Sequence, residues 1–184
     1  MSRHQLQRAL AEARAVRAAH GRYCLPNLDQ AMMAAVRLNG VIGHRSAALA
    51  HGWELRRPPP EPEIIVPRHR DILQAKRQGV AVRWRAVSAA ELEARVTPPL
   101  RTVLDVARDL PLEEALPIAD SARRAGAISP REMRGAIAGL PRTGRSRAET
   151  VLLNASAAPA NAFESTLRAH CIEAVGPLMV PQVS

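Results

Sequence analysis

Four helix-start signals in the second half of the chain constrain its fold more than any other feature. Ser88-Ala-Ala-Glu91 and Ser146-Arg-Ala-Glu149 have the Ser-x-x-Glu spacing of a capping box. Ser129-Pro-Arg-Glu132 repeats that spacing around a proline, and Thr97-Pro98 sets a capping hydroxyl before a proline at the first helical position. Behind Thr97, Leu100, Val103, Leu104 and Ala107 recur at helical intervals. Pro111 opens a further helix to Arg124, Gly126 closes it, and Pro117 is expected to kink it. From Ser88 onward the chain therefore reads as successive helices. Gly135, Gly139, Gly144 and Pro141 are expected to leave 135–147 loosely structured, and 155–160 reads as a linker.

The first half mixes periods. Residues 3–19 fit a helix with Leu6, Ala9, Leu10, Ala13 and Val16 on one face and Arg3, Arg14 and Arg17 on its flank, ended by Gly21. Residues 22–26 fit a short strand. Asn27 or Asp29 can cap a second helix carrying Leu28, Met32, Ala35 and Val36, closed by Asn39-Gly40. A third helix spans about 45–51. The proline-rich run 56–62 is a stiff, extended connector. Strands are expected at 63–66 and 80–86. In the second, Val80, Val82, Trp84 and Ala86 alternate with Arg83 and Arg85, which implies one buried and one solvated face. The expected class is α+β. With aromatics at 2% of the chain, the core has to be built from Leu, Val, Ile and Ala.

Charge is unevenly placed. Residues 1–85 hold 15 Lys/Arg against 6 Asp/Glu, whereas 86–184 hold 11 of each, so the whole excess of +9 lies in the first half. A polyanion such as DNA or RNA is the natural partner of such a surface. An Arg-rich chain whose only lysine is Lys76 is also what GC-rich coding DNA produces. Cys24 and Cys171 stand far apart, without a metal-binding or disulfide pattern, which fits a reducing cytoplasm. No apolar run reaches membrane-spanning length, and Arg8, Glu12, Arg14 and Arg17 interrupt any signal-peptide core.

The basic helix followed by a strand, 3–26, has the form of a recognition helix and wing meeting duplex DNA. Arg3, Arg14, Arg17 and Arg22 would then contact phosphates or guanine edges; the alternative is a solvated Arg-rich helix packed on its domain. His44 and His51 share one helix side, with His69 the sole further histidine in range, so structural or capping roles are favoured over a metal site. Arg101 and Asp105 are i, i+4 neighbours and pair structurally. Glu164 alone cannot hold Mg²⁺, which needs more carboxylates and water. No phosphate loop, zinc cluster or nucleophile elbow is present. Four aromatics give no stacking platform for single strands, which favours duplex DNA.

The final stretch, 161–184, reads as the opening helix and first strand of a further domain. Phe163, Leu167, Cys171 and Ala174 form an apolar stripe that needs a partner, Gly176-Pro177 ends the helix, and Leu178, Val180 and Val183 begin an apolar segment. Taken in order, His20-Gly-Arg-Tyr-Cys-Leu-Pro26, Gly43-His-Arg-Ser-Ala-Ala-Leu-Ala-His-Gly52, Ile64-Ile-Val-Pro67, Thr97-Pro-Pro-Leu-Arg-Thr-Val-Leu-Asp105 and Glu164-Ser-Thr-Leu-Arg168 give the chain its resemblance to a bacterial family. This family is related to abortive-infection (AbiEi-type) type IV antitoxins, and many members end in an endonuclease-like domain similar to very-short-patch-repair nucleases of the PD-(D/E)XK superfamily. The resemblance implies a winged-helix part over 1–55 that lacks its first helix or two, an α/β antitoxin-like region over 56–155, and a truncated endonuclease-like start over 156–184. Only Glu164 matches that nuclease's active-site region. The implied function is a DNA-binding, antitoxin-like transcriptional regulator without catalysis, partnered by duplex DNA and a cognate toxin. The alternatives are a fragment of an Mg²⁺-dependent PD-(D/E)XK endonuclease-like protein, and a degenerate remnant or protein-interaction module.

Overall fold

Cap chemistry, turn glycines and small-residue packing set the architecture of this α+β protein, whose computed structural model describes residues 3–12, 15–19, 21–24 and 29–175. In chain order the elements are α1 (Arg3–Ala11), β1 (Val16–Ala19), β2 (Arg22–Cys24), α2 (Gln30–Leu38), β3 (Val41–Ile42), α3 (His44–Ala50), β4 (Glu63–Pro67), a 3-10 turn (Gln74–Arg77) and β5 (Ala81–Arg85). Helices follow: α4 (Ala89–Ala94), α5 (Pro99–Asp109), α6 (Leu112–Arg124), α7 (Pro130–Ala138), α8 (Arg145–Asn154) and α9 (Ala162–Val175). They divide into two compact units, Met1–Ile42 with Pro60–Thr97, and Gly43–Pro59 with Pro98–Ser184. These divisions differ from breaks near 55 and 155.

In the first unit the helix expected over 3–19 stops at Ala11, and Val16–Ala19 pairs antiparallel with Arg22–Cys24. Gly21 makes the tight turn between the strands at φ +67°, a conformation that costs glycine little. Strand pairing here overrides the helical propensity of an Ala-rich run, with β-branched Val16 favouring the strand. Asp29 caps α2 by accepting the Met32 N–H at 2.7 Å, and Asn39 ends it in the left-handed region at φ 48°. Asn27, the other expected cap, lies outside the described residues.

The three-stranded sheet has the order β3-β4-β5, with β3 antiparallel and β5 parallel to β4. β3 is too short to be legible as a strand. It is extended by a parallel bridge from Ile42 to Val96. Ile64, Ile65 and Val66 of the central strand are fully buried, as expected for a strand covered on both faces. Gly40 permits the close approach: a Cβ there would lie 2.6 Å from Ile64 Cγ2 and 2.7 Å from the Ile65 carbonyl oxygen. The alternation expected for β5 is not observed. All five of its residues are half-buried and Ala86 is exposed, because the arginines lie along covered faces instead of pointing into solvent. The Ser88–Glu91 capping box opens α4, with Glu91 N–H donating to Ser88 Oγ at 3.2 Å and Ser88 N–H to the Glu91 carboxylate at 2.8 Å.

The second unit is helical around an aliphatic core that includes Val103, Val106, Leu116, Ile118, Val151 and Ile172. Helix α5 is capped by Pro98 with Pro99 at its first position, one residue later than expected. Pro111 caps α6, which continues through Pro117. Ser129 and Glu132 form the expected capping box of α7. That helix persists to Ala138, so the loop is confined to 139–144. Ser146 is not a cap. Gly144 occupies that place at φ +74°, where a Cβ would come within 2.8 Å of the Arg108 carbonyl oxygen, and Glu149 pairs with Arg145 at 2.8 Å. The proline connector is anchored to α6 through Arg56–Glu113 at 3.4 Å and Arg57–Glu114 at 2.6 Å.

Segment 155–160 is fastened to α6 as well. Ser156 N–H donates to Asp120 Oδ1 at 2.7 Å, and Arg124 donates to the Pro159 carbonyl at 2.6 Å. Beyond it, α9 buries Ser165, Ala169 and Ile172, at i, i+4 and i+7, against α6. The apolar stripe read as needing a partner points outward: Phe163 is 76% and Leu167 56% exposed. Small Ser and Ala side chains allow α9 to approach α6 closely, and a buried ion pair locks it there. Leu178, Val180 and Val183 lie outside the described residues.

Candidate nucleic-acid interface

The first unit holds 13 Lys/Arg against 7 Asp/Glu, and its first structural elements are a helix followed by a two-stranded hairpin. In α1, Leu6, Ala9 and Leu10 are half-buried, while exposed Arg8 pairs with Glu12 at 2.8 Å. Arg3 begins α1. Arg14 lies outside the described residues. Arg17 does not flank a helix: it is an exposed residue of β1, opposite Tyr23 in the antiparallel register. Arg22 opens β2, opposite Ala19. The expected helix-plus-strand arrangement is thus a shorter helix and a hairpin. Arg17 and Arg22 sit on its two strands, either side of the Gly21 turn. The hairpin and β4 both pack against α2.

The histidines serve packing in the second unit. His44, fully buried, starts α3 at φ 50°, and its Nε2 lies 2.8 Å from Asp109 Oδ2. His51 follows the last turn of α3, with Nε2 3.5 Å from Thr102 Oγ1 and its ring 4.7 Å from that of Trp53. The pairs 44–109 and 51–102 fix α3 and α5 as antiparallel. His69 is exposed and belongs to the first unit. Arg101 Nε donates to Asp105 Oδ2 at 2.7 Å, and Asp105 is buried.

Glu164 lies in the first turn of α9, where its carboxylate accepts the Ala160 N–H at 2.8 Å while Asn161 Oδ1 accepts the Glu164 N–H at 3.0 Å. This is the chemistry of a helix start. Among the described residues no three His, Cys, Asp or Glu side chains gather as metal ligands.

A buried carboxylate missed by motif reading is Asp120. It is wholly enclosed and accepts from Arg168 Nη1 at 2.6 Å as well as from Ser156. Burial pushes its carboxyl above the ordinary 3.8, against the opposing pull of the Ser156 N–H, the Arg168 charge and the Ser165 hydroxyl. The second Arg168 nitrogen donates to the Asn154 carbonyl at 2.8 Å. The site ties α6, α8 and α9 together. Its only sequence trace is an Asp and an Arg 48 residues apart, at helical positions.

Among the described residues, no helix is long and apolar enough to cross a membrane. No family model matches the chain, and no curated protein matches it. Among solved structures, the crystal structure of the RV2827C protein from Mycobacterium tuberculosis is similar, with TM-score 0.50 and 17% identity, covering 95% of this chain and 71% of that one. This likeness concerns the fold.

Proposed function

We propose that this protein is a duplex-DNA-binding regulator of the antitoxin type, without catalysis of its own. The observation that carries this reading is the hairpin following α1, with Arg17 and Arg22 on adjacent strands of a unit that has six more cations than anions. A short, twisted two-stranded ribbon bearing arginines is suited to lie along a phosphate backbone, while the preceding helix supplies a groove-facing element. Arg3 at the start of α1 and Arg14 between the helix and the hairpin complete the proposed contact set. The cognate toxin partner rests on the family resemblance alone. The endonuclease alternative draws no support from Glu164, whose carboxylate serves the backbone of its own helix start.

Mobility-shift titration of a labelled 30-base-pair duplex at low salt tests the reading. The expected result is binding that Arg17→Ala/Arg22→Ala weakens several-fold with the fold intact. Failure of the wild-type chain to retard any duplex at low ionic strength removes the proposal.

A further inference from the structure

A second group of cations belongs to the same unit, on elements other than the hairpin. Residues 68–85 contain Arg68, Arg70, Lys76, Arg77, Arg83 and Arg85, with Asp71 the single acid among them. They lie on β5 and on the crossover that leaves the end of β4 at Pro67 and returns to the start of β5 at Ala81. β4 and β5 run parallel with Pro67 opposite Arg85, so the chain leaving β4 emerges beside the last residue of β5. Trp84 fastens the intervening loop. Its Nε1 donates to the Arg70 carbonyl at 2.9 Å, and the Arg77 guanidinium lies 5.3 Å from its ring centroid. Arg70 in turn donates to the Asn39 carbonyl at 3.3 Å, which anchors the loop to the end of α2. Arg83 is largely offset by buried Glu63 at 3.8 Å. Arg68 and Lys76 are exposed, and Arg77 is held against the indole beside a cavity of about 460 Å³.

We infer that the crossover between β4 and β5 is a second phosphate-contacting surface, which takes the backbone of the same duplex through Arg68, Lys76 and Arg77. The inference rests on the reading that this unit meets duplex DNA, and it adds contacts that the helix and hairpin do not supply. Cations held at separate fixed points suit successive phosphates, and arginine's planar fork suits phosphate oxygens. A lipid surface fits less well. Leu73 is the one large apolar side chain exposed among this unit's described residues, and interfacial binding needs an apolar face beside the cations.

Fluorescence anisotropy of the full chain with a labelled 30-base-pair duplex, over a series of salt concentrations, tests the assignment. Arg68→Ala/Lys76→Ala removes two exposed cations, and circular dichroism confirms that the fold is kept. The double variant is expected to bind roughly tenfold more weakly at low salt. The slope of log K against log salt should become shallower by about 1.8, from two phosphate contacts at about 0.9 each. Wild-type binding that the double variant reproduces within twofold, with an equal slope, overturns this inference and leaves the proposed function standing. A wild-type chain that binds no duplex removes both. Loss in the variant of binding to polyglutamate or phosphatidylserine vesicles, with duplex binding unchanged, assigns the surface to an acidic protein or a lipid and overturns the nucleic-acid assignment.

Discussion

Arg168→Ala should unlatch α9 from the second unit. The Asp120 carboxylate is 0% exposed, the Arg168 side chain is 15% exposed, and the two meet at 2.6 Å. Removing the guanidinium leaves Asp120 sealed with the Ser156 N–H and the Ser165 hydroxyl as remaining donors, and it strips the Asn154 carbonyl of its partner. Breaking one side of a buried pair costs about 3–5 kcal/mol, because the surviving charge stays desolvated. At an m-value of about 2 kcal/mol per molar, a loss of ~4 kcal/mol moves the urea midpoint down by roughly 2 M. Buried Trp53 reports on this unit, and Trp84→Phe removes the fluorescence of the other unit.

The pH dependence has a definite sign. The Asp120 carboxyl is raised above 3.8 in the folded protein, so its contribution to stability is greatest below 3.8 and falls as pH rises through the folded value. Loss of the Arg168 charge raises that carboxyl further, so the gap between wild type and variant widens from pH 4 to pH 7. Asp120→Asn in the variant removes the buried charge and recovers part of the loss. A deficit under about 1 kcal/mol, the usual worth of an exposed pair, or a deficit equal at the two pH values refutes the reasoning.

Other perturbations have equally definite outcomes. Gly40→Ala should destabilise the first unit by about 1–3 kcal/mol in thermal melts, because the new Cβ meets backbone oxygen as well as Ile64; an unchanged melting temperature contradicts that packing. Ser88→Ala removes half of a capping box and should cost about 1 kcal/mol by urea titration, whereas a neutral effect means that α4 does not depend on its cap. Hydrogen bonds from Ser129 hold the Glu132 carboxyl below its ordinary 4.5, so this cap's contribution is present above 4.5 and lost as pH falls through the folded value. NMR titration should show that depression relieved in Ser129→Ala, and an identical curve in both proteins counts against the capping box.

Much of the helical second half was legible because cap chemistry is local. Ser88–Glu91, Asp29 and Ser129–Glu132 each act within one turn of their own helix. The hairpin was not legible, because Ala9 to Ala19 favours a helix locally and only pairing with Arg22–Cys24 draws Val16–Ala19 into a strand. The docking face of α9 was not legible for a related reason. Hydrophobic periodicity marks Phe163 and Leu167, whereas the face that buries carries Ser165, Ala169 and Ile172 beside Arg168, whose partner is 48 residues away. Of the candidate contact residues, Arg17 was identified as basic and accessible, but its placement on a strand depended on pairing that a helical wheel does not contain.

The salt dependence of duplex affinity in the wild-type chain tests the central claim most directly. Arg3, Arg14, Arg17 and Arg22, with or without Arg68, Lys76 and Arg77, give an expected slope of log K against log salt between about −3.6 and −6.3, at about 0.9 per phosphate contact. A slope in that range, on a duplex bound at low salt, is the predicted result. A slope near zero, or no binding at 50 mM salt, contradicts the assignment of this basic unit to the DNA backbone.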